Sequence, residues 1–369
     1  MDNETKWAFV KSEAAKLSSL PFLKRVALAK ELSAITFPLH RFIFEDKDRT
    51  REFHDLEDSI SAPLLQSTDL IQQASKDYFE HKYNATRLDF YPKIEGVQLG
   101  ATMKMTFLTQ DAISKEIFFF IKTHRERSTK SSASKQAADL KELFIYKMLE
   151  IAGFGPKAHF YGHENSSLIL LIATQDLAFT KRSNVKKSFS TYGDIRDSLQ
   201  LNPDIIFNFS LFDILARIFF LYDATTNPGN IGQVSVAEEG GSYFKWKIVD
   251  FRIPSLDRFV LPEIFQGFLN GNGMFNYTRH FATICCDRPE AERLQIGKAV
   301  ISLLHSGASR RSKSQPHPPL LSAIDQACEF VKQFAASNSL LVKQISKLEQ
   351  YVMDVKINFT VLAEQINNR

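Results

Sequence analysis

The sequence predicts an α+β fold of two lobes, with further helices before and after them. Three features predict it. Apolar residues recur at helical spacing through residues 1–87 without a strong strand signal. Strand-like runs surround a single helix over 88–176. From 177 to 305 the helical pattern returns, interrupted by one strand pair, and a linker (306–319) and a helical segment (320–369) follow.

In the first region, "LPFLKRVALAKELSAI" carries Leu23, Val26, Leu28 and Leu32 with lysines between them, an amphipathic spacing. "SAPLLQSTDLIQQASKDYFEHKY" repeats the pattern, with Ser67, Thr68 and Asp69 as a start signal. The character changes near residue 88. Met103, Met105 and Phe107 alternate with polar neighbours, and Gly96 and Gly100 break the run. "KEIFFFIKTH", residues 115–124, suits a central strand. The basic, Ser-rich stretch 125–136 reads as a surface loop. "AADLKELFIYKMLEIAGFGP" then reads as a helix closed by Gly153, Gly155 and Pro156. "AHFYGHENSSLILLIATQDL" reads as two strands turning at 164–167.

"FNFSLFDILARIFFLYD" is a mostly apolar helix that leads into "ATTNPGNIG". "IGQVSV" and "FKWKIVDF" are two short strands joined across 238–241. At the end, Leu341, Ile345, Leu348, Val352, Val355, Phe359, Leu362 and Ile366 follow a 4-3-4-3-4-3-4 spacing. Such a stripe serves either a long helix packed on its own domain or a seam with a second helix, in a homo-oligomer or with a partner.

Composition excludes several classes. A net charge of +4 on 369 residues is too mild for bulk nucleic-acid binding. The basic segments 181–187 and 309–313 could touch an anionic phosphate or membrane surface, although solvated loops often look the same. The three cysteines, Cys285, Cys286 and Cys328, form neither a metal-ligand spacing nor an even disulfide framework. The first residues lack a signal-peptide layout, and no apolar run approaches the ~20 residues that span a bilayer. The expected setting is cytoplasmic. No phosphate-binding Walker sequence and no HExxH occur.

Two groups of residues stand out chemically. Lys122 closes an apolar strand and shares a face with Phe118 and Phe120. A lysine so placed needs a counter-ion, and the next helix offers Glu142, twenty residues on, beside Ile145, Tyr146 and Leu149. The second group is Asn230 and Asp250. A strand pair over 231–249 brings its two ends together, and an amide oxygen beside a carboxylate suits Mg²⁺.

Lys122, Glu142, "TNPGNIG" and "IVDF" together resemble the protein-kinase-like superfamily, in the manner of its divergent branches: aminoglycoside- and lipid-kinase-like enzymes and atypical kinases among bacterial effectors. The match covers about residues 90–255. The resemblance implies a two-lobed kinase-like fold, an N-lobe over 88–176 and a helical C-lobe over 177–305. It implies ATP and Mg²⁺ or Mn²⁺ as cofactors. Lys122 would hold the phosphates with Glu142 as its partner, Gly96 and Gly100 would form the glycine-rich loop, and Thr174, Gln175 and Asp176 would lie near the adenine. Asn230 and Asp250 would bind the metal. The acceptor stays open: a protein, a lipid or a small molecule. The effector-like branches leave delivery into a host cell open as well.

The pattern departs from the family at three points. The catalytic aspartate belongs five residues before the asparagine, where Thr225 stands, and Asp223 is seven before it. Either the loop is longer and Asp223 is the base, the reading adopted, or the base is missing and the chain is a binding or scaffold protein. Arg252 replaces the glycine of the usual "DFG", and Gly96 and Gly100 make a thin glycine-rich loop. Transfer of a nucleotidyl group in place of a phosphoryl group is a third reading of the same fold.

Overall fold

The computed structural model describes residues 2–65, 68–93, 100–108, 114–123, 139–163, 166–177, 187–221, 224, 227–238, 241–251, 253, 287–307, 318–337, 339–342 and 344–369. The fold is α+β, and the chain divides into two compact units. The first comprises residues 1–140, 158–176 and 333–344; the second comprises 141–157, 177–332 and 345–369.

The first unit begins with helices α1 (Asn3–Ala14), α2 (Phe22–Thr36), α3 (His40–Phe44), α4 (Lys47–Leu65) and α5 (Thr68–Tyr83). Asp2 caps α1 by accepting from the Thr5 amide at 2.8 Å. Strands β1 (Ala85–Lys93), β2 (Gly100–Leu108), β3 (Ser114–Thr123), β4 (Ala158–His163) and β5 (Ser166–Gln175) form one antiparallel sheet in the order β1-β2-β3-β5-β4. Strand alternation divides its faces. Met103, Met105, Phe119, Ile121, Tyr161, Leu171 and Ala173 share one hydrophobic core with Trp7, Leu32, Phe53, Ile60 and Phe79 of the helices. The N-terminal helices therefore cover one sheet face, and Phe118, Phe120 and Lys122 lie on the other.

The buried stripe of α2 is Ala29, Leu32, Ser33 and Thr36. This corrects the expectation for Leu23, which is 80% exposed. Leu23 precedes Ala29 by six residues, which puts it about 120° off that stripe. His159 on β4 is buried, and its two ring nitrogens meet the hydroxyls of Tyr78 and Tyr83, each at 3.1 Å. It serves the packing of the strand on α5.

The second unit contains α6, which spans Leu140–Ile151 and enters the unit at residue 141. Strands β6 (Lys187–Thr191), β7 (Ile231–Glu238) and β8 (Gly241–Ile248) form a three-stranded antiparallel sheet. Strand β6 had no sequence expectation, because "KSFST" offers a single large apolar residue. Its Phe189 packs against Gly232 of β7, where an added Cβ would lie 2.1 Å from the ring. Helix α7 (Tyr192–Ile195) follows with a capping box between Thr191 and Asp194. The Thr191 hydroxyl and amide hold the Asp194 carboxyl below the usual carboxylate range.

Helix α8 (Pro203–Phe219) is buried along most of its length, and Asn202 caps its start by accepting from the Ile205 amide. Helices α9 (Glu290–Ser306), α10 (Leu320–Ala336, up to residue 332) and α12 (Ile345–Asn367) complete the unit, whereas the end of α10 and the short α11 (Ser339–Val342) belong to the first. Leu348, Val352, Val355, Phe359, Leu362 and Ile366 of the heptad stripe are buried. Helix α12 lies against α8 and α9, so the stripe is used within the chain. Ion pairs Lys356–Asp325 and Lys332–Glu349 align α10 and α12 antiparallel. No helix among the described residues is long and apolar enough to cross a membrane.

Candidate functional site

In the first unit, the expected nucleotide residues gather on β2, β3 and β5. Lys122 pairs with Gly100 on one side and Ile172 on the other. Two residues earlier, Phe120 pairs with Thr102 and Thr174, and Phe119 pairs with Gln175. The Asp176 amide donates to the Phe118 carbonyl at 2.8 Å, which carries the ladder to the end of β5. Directly paired residues project to the same side of an antiparallel sheet. Gly100, Lys122, Phe120 and Thr174 thus share the face opposite the N-terminal helices. Phe120 is 53% exposed although β3 has a neighbour on either side. Gly96 lies outside the described residues.

In the second unit, the residues gather at the open end of the β7–β8 hairpin. The ladder begins at Ile231 opposite Ile248. It gains one more bond, from the Val249 amide to the Asn230 carbonyl at 2.8 Å. Asp250 therefore stands one residue past the partner of Asn230. The turn before Asn230 is held by one side-chain bond and two backbone bonds. Asn227 Oδ1 accepts from the Gly229 amide at 3.0 Å, the Asn227 carbonyl accepts from the Asn230 amide at 3.0 Å, and Pro228 accepts from the Gly193 amide at 3.0 Å. Asn230 is buried. Asp223, Thr225 and Arg252 lie outside the described residues, as do residues 181–186 and 309–313 of the two basic segments.

Helix α6 reaches this hairpin at three points. The Tyr146 hydroxyl donates to Asp250 Oδ1 at 2.8 Å. The Ile248 amide donates to the Phe154 carbonyl at 2.8 Å, and the Lys247 ammonium donates to the Gly153 carbonyl. Gly153 ends the helix with φ 73°, a conformation natural to glycine at that position. Glu142 stands in the first turn of α6, one helical turn before Tyr146, and is half-buried. Lys147 lies on the same helix. It pairs with Glu150 at 3.0 Å and lies over the Phe330 ring at 4.3 Å.

The approach to the loop is fixed from the other side. Helix α8 ends at Phe220 in the left-handed conformation, φ 54°. Its terminal carbonyls are met by α12: Tyr351 Oη donates to Phe219 O at 2.7 Å, and Asn358 Nδ2 donates to Ile218 O at 3.3 Å. Inside α8, Arg217 and Asp213 form a fully buried ion pair at 2.7 Å.

Among the described residues no cluster of three or more His, Cys, Asp or Glu could hold a metal by itself. The donor set of Asn230 and Asp250 nevertheless fits Mg²⁺ or Mn²⁺. Mg²⁺ takes hard oxygen ligands and commonly uses only one or two protein groups, the rest coming from phosphates and water. The sequence singles out this pair and gives no expectation for Tyr146, whose hydroxyl meets Asp250. A buried tyrosine on the flank of Glu142 needs a partner for its hydroxyl, and that requirement was the available signal. Comparison with family models, characterised proteins and solved structures finds no match for this chain.

Proposed function

We propose that the protein is an ATP-dependent phosphotransferase of kinase-like type, acting on a hydroxyl acceptor. The observation that carries the reading is the return of Asp250 to the side of Asn230 through one hairpin, with α6, the helix of Glu142, bonded to that same aspartate. Support also comes from the setting of Lys122. It lies on the third strand of an antiparallel sheet, next to Gly100 and two residues from the rung shared with Thr174, and the helix that follows carries the glutamate. The kinase signature has its lysine on the third strand and its glutamate on the next helix.

In this reading Lys122 neutralises the ATP phosphates, and Thr174 and Asp176 present side chains and Gln175 its backbone to the base; Glu142 is the partner that the resemblance implies for Lys122. Asn230 and Asp250 hold the divalent ion. When bound, that ion supplies charge neutralisation along the polyphosphate. Asp223 accepts the proton of the acceptor hydroxyl. Phosphoryl transfer asks for positioning and electrostatics more than covalent chemistry from the protein.

The test is a thermal-shift titration of the whole chain with ATP and MnCl₂ or MgCl₂. The nucleotide and metal together are expected to raise the melting temperature, and Lys122→Met and Asp250→Asn to remove the rise. Absence of any rise in the wild-type chain rejects the reading. Mass analysis of products from ATP, Mn²⁺ and a cell lysate then separates phosphoryl from nucleotidyl transfer. Binding without transfer would reassign the protein as a nucleotide-dependent scaffold.

A further inference from the structure

We infer that Tyr146 is a positioning residue for Asp250, coupling helix α6 to the divalent-ion site; this rests on the nucleotide reading above. Tyr146 is only 2% exposed, and its hydroxyl donates to Asp250 Oδ1 at 2.8 Å. Its ring packs on Phe251, the residue after Asp250, at 4.5 Å between centroids. One side chain therefore holds the aspartate by its carboxylate and its neighbour by its ring. A carboxylate after the end of a strand can rotate about χ1 and χ2, and a ligand ion needs one orientation of it. A charge-assisted bond from a buried phenol sets that orientation before the ion arrives.

The backbone agrees with this role. Lys247 and Ile248, just before Asp250, are tied to the turn that ends α6. The turn after the helix thus holds the strand end through the Ile248 amide and the Lys247 ammonium, and the helix holds the aspartate by its side chain. Glu142 lies one turn before Tyr146 on the same helix, so a displacement of α6 moves the glutamate and the anchor of the aspartate together.

Tyr146→Phe keeps the ring and deletes the bond. The measurement is Mn²⁺ affinity, by electron paramagnetic resonance of free Mn²⁺, at saturating ATP, beside ATP affinity without metal. Mn²⁺ binding is expected to weaken about tenfold, the weight of one hydrogen bond to a charged group, while metal-free ATP binding stays unchanged. A packing defect alone would lower the melting temperature without that split. As a second readout, 3-fluorotyrosine placed at position 146 of the otherwise wild-type chain should lose its ¹⁹F signal to paramagnetic broadening on addition of Mn²⁺ with ATP, but not Mg²⁺ with ATP. Wild-type-like Mn²⁺ affinity in Tyr146→Phe, or a sharp ¹⁹F signal beside Mn²⁺, overturns the role of Tyr146 alone. A wild-type chain that binds neither ATP nor Mn²⁺ overturns the nucleotide reading, and this role falls with it.

Discussion

The Val249 amide donates to the Asn230 carbonyl at 2.8 Å, one rung beyond the last paired residues of the β7–β8 hairpin. That bond ties the turn carrying the amide to the strand end carrying the Asp250 carboxylate. Twenty residues of chain therefore separate the two in sequence but only a single rung separates them in the fold.

Under the proposed phosphotransferase reading, Asn230→Ala and Asp250→Asn should each lower metal-dependent phosphotransfer by on the order of a hundredfold or more, as expected when a preorganised electrostatic group is removed. The backbone bond from Val249 does not depend on either side chain, so the hairpin should survive both changes. Circular dichroism and urea midpoints close to wild type, with the Mn²⁺ response lost, are the expected pair of results. Full activity in Asp250→Asn would exclude the aspartate from the site.

The ion pair inside α8 allows a stability prediction. Arg217 and Asp213 are both fully buried and 2.7 Å apart. Arg217→Met takes the guanidinium away from a buried carboxylate and should cost about 3–5 kcal/mol. The double change Asp213→Leu with Arg217→Met removes both charges and should recover most of that loss, because an apolar pair of similar volume carries no desolvation penalty. Chemical unfolding of the two variants decides this; equal losses in both would mean that the ion pair is not the source of the cost.

Local pattern made much of this fold legible. The β4–β5 and β7–β8 pairs announce themselves by apolar runs on either side of polar turns, and the stripe from Leu348 to Ile366 is a periodicity in plain view. The same stripe could not declare its partner, since a heptad spacing is identical whether α8 and α9 or a second chain covers it. Strand β6 was invisible for a different reason. It follows a basic stretch, and its one large residue, Phe189, gains meaning only from the bare backbone of Gly232, diagonal to it on β7. Lys122, Asn230 and Asp250 stand out in the sequence because an ionisable or amide group beside an apolar run is unusual. Tyr146 does not, because a tyrosine among apolar helix residues satisfies the core pattern whether or not its hydroxyl has a task.

Gly232 offers a test of the β6 assignment. A Cβ there would meet the Phe189 ring at 2.1 and 2.3 Å and the Ser190 carbonyl at 2.8 Å. Gly232→Ala should therefore cost about 1–3 kcal/mol through overpacking. Phe189→Ala removes the ring but not the carbonyl, so it should relieve part of that cost. In a double-mutant cycle the combined loss should be smaller than the sum of the single losses. Strict additivity would place Phe189 away from Gly232.

Tyr161 makes the first unit sensitive to alkali. Its hydroxyl meets Ser75 Oγ at 2.8 Å, and burial pushes the phenol well above the ordinary tyrosine range. An unfolded tyrosine ionises near pH 10. Below about pH 10 both states keep the proton and the native contribution is fully present. Above it the unfolded chain releases a proton that the native chain retains, so stability falls as pH rises, by up to about 1.4 kcal/mol per pH unit for this one group. Tyr161→Phe should cost about 1 kcal/mol at neutral pH, the net worth of one hydrogen bond, since Ser75 keeps its bond to the Ile71 carbonyl at 2.6 Å. The same change should flatten the loss of stability between pH 10 and pH 11. Urea midpoints of both chains across that interval measure the difference, and parallel slopes would show that the Tyr161 phenol ionises as readily in the folded chain as in the unfolded one.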